Sequence, residues 1–271
     1  MMKATIGFIG GGNMARSLIG GLLTSGIAAE QIHVAEPDDQ LRQQLHIDFG
    51  VHTGTDNTAI ADQCDVIVLA VKPQMMKTVV STLGDVSEKL LISIAAGIEI
   101  KAIEKWLGGT AAIVRTMPNT PALVKSGATG LYANSAVSET QKETAESILR
   151  AVGLTLWVAD EALLDAVTAL SGSGPAYFFL VMEAMEEAGI RLGLQPEEAR
   201  LLAVQTAFGA SKLALESAED PATLRKRVTS PGGTTEQAIG VLQENRLQKI
   251  FEQAMTAARD RARELAEQLG S

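Results

Sequence analysis

The chain has 271 residues, 46% of them hydrophobic and 20% charged, with a formal net charge of −9. That is globular composition, long enough for two domains, and it excludes a disordered chain. The acidic balance argues against a nucleic-acid binder, which needs a basic face. The single cysteine, Cys64, allows no internal disulfide, which suits a reducing compartment; it reads as a small core residue beside a buried strand. Met1-Met2-Lys3-Ala4 leads into a run that is too short for a signal-peptide core and is broken by glycine. No stretch of about eighteen apolar residues lacks charge, so no transmembrane helix is expected and the cytoplasm is the expected location.

In chain order, Ile6 to Ile9, Ile32 to Ala35, Val66 to Ala70 and Leu90 to Ile94 are short apolar runs without alternation, the pattern of strands buried on both faces. Helical patterns lie between them, over Asn13 to about Thr24, Asp38 to Phe49, Lys77 to Leu83 and Ala102 to Leu107. Strand and helix alternating this way predict an α/β Rossmann-type domain, a doubly wound and mostly parallel sheet. Ala112 to Arg115, Gly130 to Tyr132 and Leu154 to Val158 continue as strands, with a helix over Ser138 to Val152. After about residue 160 the pattern is all helix: Leu163 to Leu170, Pro175 to Gly189, Pro196 to Glu216, Thr234 to Glu244 and Leu247 to Leu269. The expected division is therefore residues 1–160 for a dinucleotide-binding domain and 161–271 for an all-α domain. Leu201 to Leu215 is apolar around most of its circumference, so a helix there needs cover on all sides and a partner subunit is the natural cover.

Gly10-Gly11-Gly12-Asn13-Met14-Ala15 follows the first strand and opens the first helix, the context that a G-x-G-x-x-A dinucleotide fingerprint requires. Gly10 permits the tight turn, Gly12 lets the backbone approach a pyrophosphate, and Ala15 lets the helix pack near the strand. The helix start offers free N–H groups and the positive dipole end to the phosphates. Glu36 ends the second strand, where an acid binds the ribose 2′-hydroxyl of NAD and repels a 2′-phosphate. Replacing it with serine should then favour NADPH over NADH. Arg42 lies too far along the chain to be assigned to a phosphate. Ala70-Val71-Lys72-Pro73 and Ala95-Ala96-Gly97 end two further strands, where the small residues and the proline suit a wall for a nicotinamide ring and Lys72 can reach a phosphate or ribose.

Two glycine-rich segments interrupt the helical part: Ser171-Gly172-Ser173-Gly174-Pro175-Ala176 and Ser230-Pro231-Gly232-Gly233-Thr234-Thr235. Each precedes a helix and presents N–H groups and hydroxyls at its start, an anion-binding arrangement that suggests a substrate carboxylate. Together with Phe8 to Met14, Ala70 to Pro73, Ser93 to Gly97, Arg115 to Pro121 and the run from Pro221 to Ile239, they resemble the pyrroline-5-carboxylate reductase family almost end to end. The resemblance implies reduction of 1-pyrroline-5-carboxylate to L-proline with NADPH or NADH, the last step of proline synthesis. It implies a homodimer built on the helical domain, and a decamer made as a pentamer of dimers. It places the substrate on Ser230, Gly232, Gly233, Thr234 and Thr235, with Ser173 nearby and Thr235 beside the ring nitrogen. The implied cofactor set is Gly10, Gly11, Gly12, Asn13, Met14, Glu36, Asn57, Ala70, Val71, Lys72, Pro73, Ala95, Ala96 and Gly97. One departure is Glu36-Pro37-Asp38, where members favouring NADPH carry serine, threonine or arginine.

Hydride addition to a C=N bond needs no strong protein acid when the cyclic imine arrives protonated. His33, His46 and His52 all fall in the cofactor half and read as surface or strand-end residues; no histidine and carboxylate cluster suggests a metal. Catalysis then rests on holding the imine against the nicotinamide, where proximity removes about 7–11 kcal/mol of barrier, with Thr235 orienting the ring nitrogen or passing a proton through water. The alternatives are a β-hydroxyacid dehydrogenase-like enzyme and a non-enzymatic dinucleotide-binding protein. The first is disfavoured by Pro175 to Met182, which lacks the expected lysine, and the second by the intact turns at Ser171 and Ser230.

Overall fold

The computed structural model describes residues 4–270; Met1, Met2 and Lys3, which precede the first apolar run, lie outside them. The chain forms two compact units, one running to Ser173 and taking back the segment from Ala257 onward, the other Gly174–Thr256.

The first unit is built on one eight-stranded sheet. Its strands are β1 (Ile6–Ile9), β2 (Ile32–Ala35), β3 (His52–Gly54), β4 (Val66–Leu69), β5 (Leu90–Ser93), β6 (Ala112–Met117), β7 (Gly127–Ala133) and β8 (Gly153–Trp157). They lie in the order β3-β2-β1-β4-β5-β6-β7-β8. Every pair is parallel except β6 with β7. The doubly wound, mostly parallel reading of the sequence is therefore right. The helices of this unit are α1 (Asn13–Thr24), α2 (Asp39–Phe49), α3 (Asn57–Gln63), α4 (Met76–Val80), α5 (Ile100–Leu107), α6 (Glu139–Arg150) and α7 (Leu163–Val167).

The central strands are apolar on both faces because both faces are covered. Ile6, Phe8, Val66, Val68, Leu90 and Ile92 belong to one core with Leu18 and Leu22 of α1 and Ile148 of α6. The alternate residues Ile9, Ile67, Leu69 and Leu91 belong to a second core with Met76 of α4 and Ile103 and Trp106 of α5. Each fully buried Leu, Ile or Phe contributes about 1.5–3 kcal/mol by leaving water. Cys64 lies in the second core at 2% exposure, and burial pushes its thiol up to about 11.

Besides short 3₁₀ turns, one strand and two α-helices escaped the sequence pattern. β3 is a three-residue edge strand without an apolar run, and α3 is one short helix started by Asp56, whose carboxylate accepts the N–H groups of Thr58 and Ala59. The third is α10, described below. A fourth difference is more consequential. The helix expected over Leu163 to Leu170 ends at Val167 and opens into a π turn, Thr168–Gly172, closed by Ser173 N–H on the Thr168 carbonyl at 2.8 Å. Single π turns in helices occur frequently at functional sites.

The second unit contains α8 (Gly174–Arg191), α9 (Pro196–Glu216), α10 (Pro221–Arg227) and α11 (Thr234–Glu244); α12 (Leu247–Leu269) begins in this unit and ends in the first. Asp220 caps α10 by accepting from Ala222 and Thr223, with Pro221 in its first turn. In α9, Leu201, Phe208 and Leu215 are 69%, 60% and 84% exposed in the single chain, the uncovered apolar surface that the sequence forecast.

His33 and His52 are register partners on β2 and β3, and their rings stack at 4.8 Å. Burial, and then the neighbouring His52, hold the His33 imidazole below its ordinary pKa. The unfolded chain therefore takes up a proton at His33 more readily than the folded one, and stability is lost as pH falls below about 6.5 and is level above it. Wild type should lose more stability than His33→Gln between pH 7.5 and 5.5, followed by denaturant midpoint; equal losses would remove His33 as the cause.

Candidate functional site

The sheet order reverses between β1 and β4, and in open α/β sheets ligands bind beyond the carboxyl ends of the strands at such a switch point. The glycine turn stands there. Gly10 has φ +101°, and a Cβ on it would lie 2.8 Å from the Ala70 carbonyl oxygen at the end of β4, so only glycine fits. A Cβ on Gly12 would meet nothing within 4 Å. Gly12 is the N-cap of α1, and no side chain caps that helix. The N–H groups of Asn13, Met14 and Ala15 therefore stand at an open helix start, a ready anion site. Ala15 is buried against the core, as close helix packing requires.

Glu36 is 8% exposed and turned inward. Its Oε2 accepts the Gly11 N–H at 2.7 Å and its Oε1 accepts the Asp38 N–H at 3.0 Å. A carboxylate offers about four lone-pair sites, so a ribose hydroxyl still has room to donate to it. Arg42, which sequence distance set aside, is folded back by α2: its Nη1 donates to the Glu36 carbonyl at 2.8 Å and its Nη2 pairs with Asp39. A cation thus stands at the end of β2 beside the acid, and a helix turn that returns a side chain to its own start is the signal that could have found it.

Among the other candidates, Ala70, Val71, Lys72 and Pro73 follow β4, and Ala95, Ala96 and Gly97 follow the adjacent β5. Lys72 is exposed and Ala95 buried. Asn57 is the first residue of α3 and is half-buried. The loop after β5 is anchored by a pair that sequence reasoning missed. Arg115, nearly buried on β6, meets Glu161 Oε1 at 2.9 Å, and the same oxygen accepts the Ile100 N–H at 2.8 Å. Forty-six residues separate the ion pair, and no local pattern reveals it.

On the substrate side, Ser173 closes the π turn through its N–H, and its hydroxyl has no protein partner among the described residues. In the second unit, Gly233 is the N-cap of α11 and no side chain caps it. Thr234 and Thr235 fill its first turn; the Thr235 hydroxyl also lacks a protein partner among the described residues. The Gly232 N–H is not free, since Glu236 Oε2 accepts it at 2.7 Å, while Gly233 N–H donates to the Ser230 carbonyl at 3.0 Å.

The family model for pyrroline-5-carboxylate reductase dimerisation matches residues 161–265, and that for coenzyme F420-dependent NADP oxidoreductase matches residues 5–97. The pyrroline-5-carboxylate reductase of Pseudomonas aeruginosa is 52% identical over 272 residues, covering 100% of both chains. This chain belongs to the pyrroline-5-carboxylate reductase family. The solved structure of the Coxiella burnetii pyrroline-5-carboxylate reductase matches with a TM-score of 0.95 and 50% identity, covering 98% of this chain and 99% of its own. A Plasmodium falciparum pyrroline carboxylate reductase, solved with NADP bound, matches with a TM-score of 0.86 and 30% identity, covering 98% and 99%. NAD(P)H-dependent reduction of a cyclic imine is the activity of this family, and membership sets aside the hydroxyacid dehydrogenase and non-enzymatic readings.

Proposed function

We propose that this chain reduces 1-pyrroline-5-carboxylate to L-proline through the residues described above, using either NADPH or NADH. The observation that carries the reading is the open helix start at Gly12, with three unpaired N–H groups at the switch point of the sheet. Gly10, Gly11, Gly12, Asn13 and Met14 hold the pyrophosphate. Glu36 accepts from the adenosine ribose, with Asn57 at the start of α3 beyond it. Ala70, Val71, Lys72 and Pro73, with Ala95, Ala96 and Gly97, line the nicotinamide side. The reduced nicotinamide supplies the hydride when bound.

The substrate carboxylate is held by Ser230, Gly232, Gly233, Thr234 and Thr235, and by Ser173. The Gly232 N–H is held by Glu236, so the support for this turn as a carboxylate binder is the uncapped start of α11 at Gly233. Thr235 orients the ring nitrogen through its unpaired hydroxyl. Positioning supplies most of the rate, since a protonated imine needs no strong acid.

We place the dinucleotide-binding part at residues 1–160 and the substrate and dimerisation part at 161–271, a division supported by the dimerisation match from residue 161, whereas the compact units divide later, after Ser173, and the first takes back the segment from Ala257 onward. The exposed apolar surface of α9 supports a homodimer, and family resemblance supports assembly into a decamer. A lone buried thiol supports a cytoplasmic location.

Purified protein should oxidise both nucleotides when given 1-pyrroline-5-carboxylate, should ignore hydroxyacids with NAD, and should sediment as a dimer or larger. A folded sample inactive with both nucleotides would sink the assignment, and a stable monomer at micromolar concentration would sink the assembly.

A further inference from the structure

We propose that Asn119 is a positioning residue that sets the substrate-side π turn through Ser171. The inference rests on the reading of Ser173 as a substrate contact.

Asn119 follows β6 and is the N-cap of a 3₁₀ turn over Thr120–Val124. An asparagine at such a position ordinarily caps the turn that it begins. Here it makes no capping bond. Its Nδ2 instead donates to the Ser171 carbonyl at 3.1 Å and the Ser171 hydroxyl at 3.2 Å, across 52 residues. Its Oδ1 accepts the Ala128 N–H of β7 at 2.9 Å. The Ser171 carbonyl and the Ala128 N–H fix which way the amide points, since the flipped amide would set its oxygen against that carbonyl and its NH₂ against that N–H.

Ser171 belongs to the π turn, and Ser173, which closes it, stands two residues further on. The turn is seated as well as tied. A Cβ on Gly172 would lie 2.5 Å from Met117 Cε at the carboxyl end of β6, so the missing side chain lets the turn settle onto that strand end. The next strand is β5, bound to β6 through Thr116 Oγ1 on the Ser93 carbonyl at 3.0 Å. Ala95 to Gly97 leave from that strand. Asn119 therefore fixes a turn one strand away from the proposed nicotinamide wall, and with it the unpaired Ser173 hydroxyl.

Asn119→Asp keeps the size and the Oδ1 acceptor but removes both donors and turns an oxygen toward the Ser171 carbonyl. It should raise the KM for 1-pyrroline-5-carboxylate about tenfold, the scale of a partly buried acceptor left facing another acceptor, while the KM for NAD(P)H stays within about twofold. Ser171→Ala keeps the carbonyl contact and loses only the hydroxyl, so it should show the same split at about two- to threefold. It also serves if the aspartate variant does not fold. Equal changes in both KM values, or a lowered Tm with neither KM changed, would overturn the positioning role. Ser173→Ala tests the underlying reading separately. No effect there removes Ser173 from the substrate site, whereas an effect there with none from Asn119→Asp and Ser171→Ala overturns the role of Asn119 alone.

Discussion

Replacing Glu36 with glutamine should weaken both nucleotides, raising each KM by about tenfold, and should hurt NADH more than NADPH. The carboxylate accepts two backbone N–H groups, one from the glycine turn and one from Asp38. A glutamine has one carbonyl oxygen, so one of those N–H groups would face an NH₂ donor. A buried donor left unpaired costs about 1–3 kcal/mol, and 1.4 kcal/mol is a factor of about ten in affinity. The two N–H groups tie the glycine turn to the end of β2, so loss of either loosens the site that both nucleotides share. The unequal part comes from charge: loss of the carboxylate removes an acceptor for the 2′-hydroxyl of NADH and a repulsion against the 2′-phosphate of NADPH. The serine variant suggested by sequence alone should move the ratio the same way, with a larger absolute loss, because serine is too short to reach the Gly11 N–H. Steady-state KM values for both nucleotides decide it. Unchanged values would show that Glu36 serves the turn without touching the cofactor or its binding, and a gain for NADPH with no loss for NADH would show that charge alone matters.

The cofactor half was legible because its signals are local. A glycine turn between an apolar run and a helix, and strands apolar on both faces, are readable within windows of ten residues. The same holds for the Ser230 to Thr235 turn, whose helix starts at the expected Thr234. What sequence could not supply is contact between distant segments. Glu36 was placed correctly at the end of β2, but its inward orientation depends on Gly11, 25 residues earlier. Asn119 with Ser171 and Arg115 with Glu161 join segments about fifty residues apart, and periodicity carries no information about such pairs. The π turn was missed for a different reason: its residues are helical in pattern, and the extra residue is absorbed by tertiary contacts at Met117 and Asn119. α10 was an avoidable miss, since Asp220-Pro221 is a readable helix start.

Thr235→Ala should lower kcat about 100-fold, the low end of what a positioned proton-transfer group contributes, with the KM for NAD(P)H nearly unchanged. The competing explanation for any such loss is structural, because a threonine at a helix start can be a cap whose removal costs about 1 kcal/mol. The geometry separates the two. The N-cap of α11 is Gly233, no side chain caps the helix, and Thr235 lies one residue inside its first turn with its hydroxyl unpaired among the described residues. Removing that hydroxyl breaks no protein hydrogen bond, and alanine is the better helix former by a few tenths of a kcal/mol. The variant should therefore melt at the wild-type temperature or slightly above it while turning over slowly. Thr235→Val keeps the branched shape without the hydroxyl and should be as slow as alanine. Thr235→Ser keeps the hydroxyl without the methyl and should recover most of the rate. Normal turnover in the alanine and valine variants would remove Thr235 from the chemistry. A slow serine variant would mean that the methyl, packing against the substrate ring, matters more than the hydroxyl that the proposed mechanism uses.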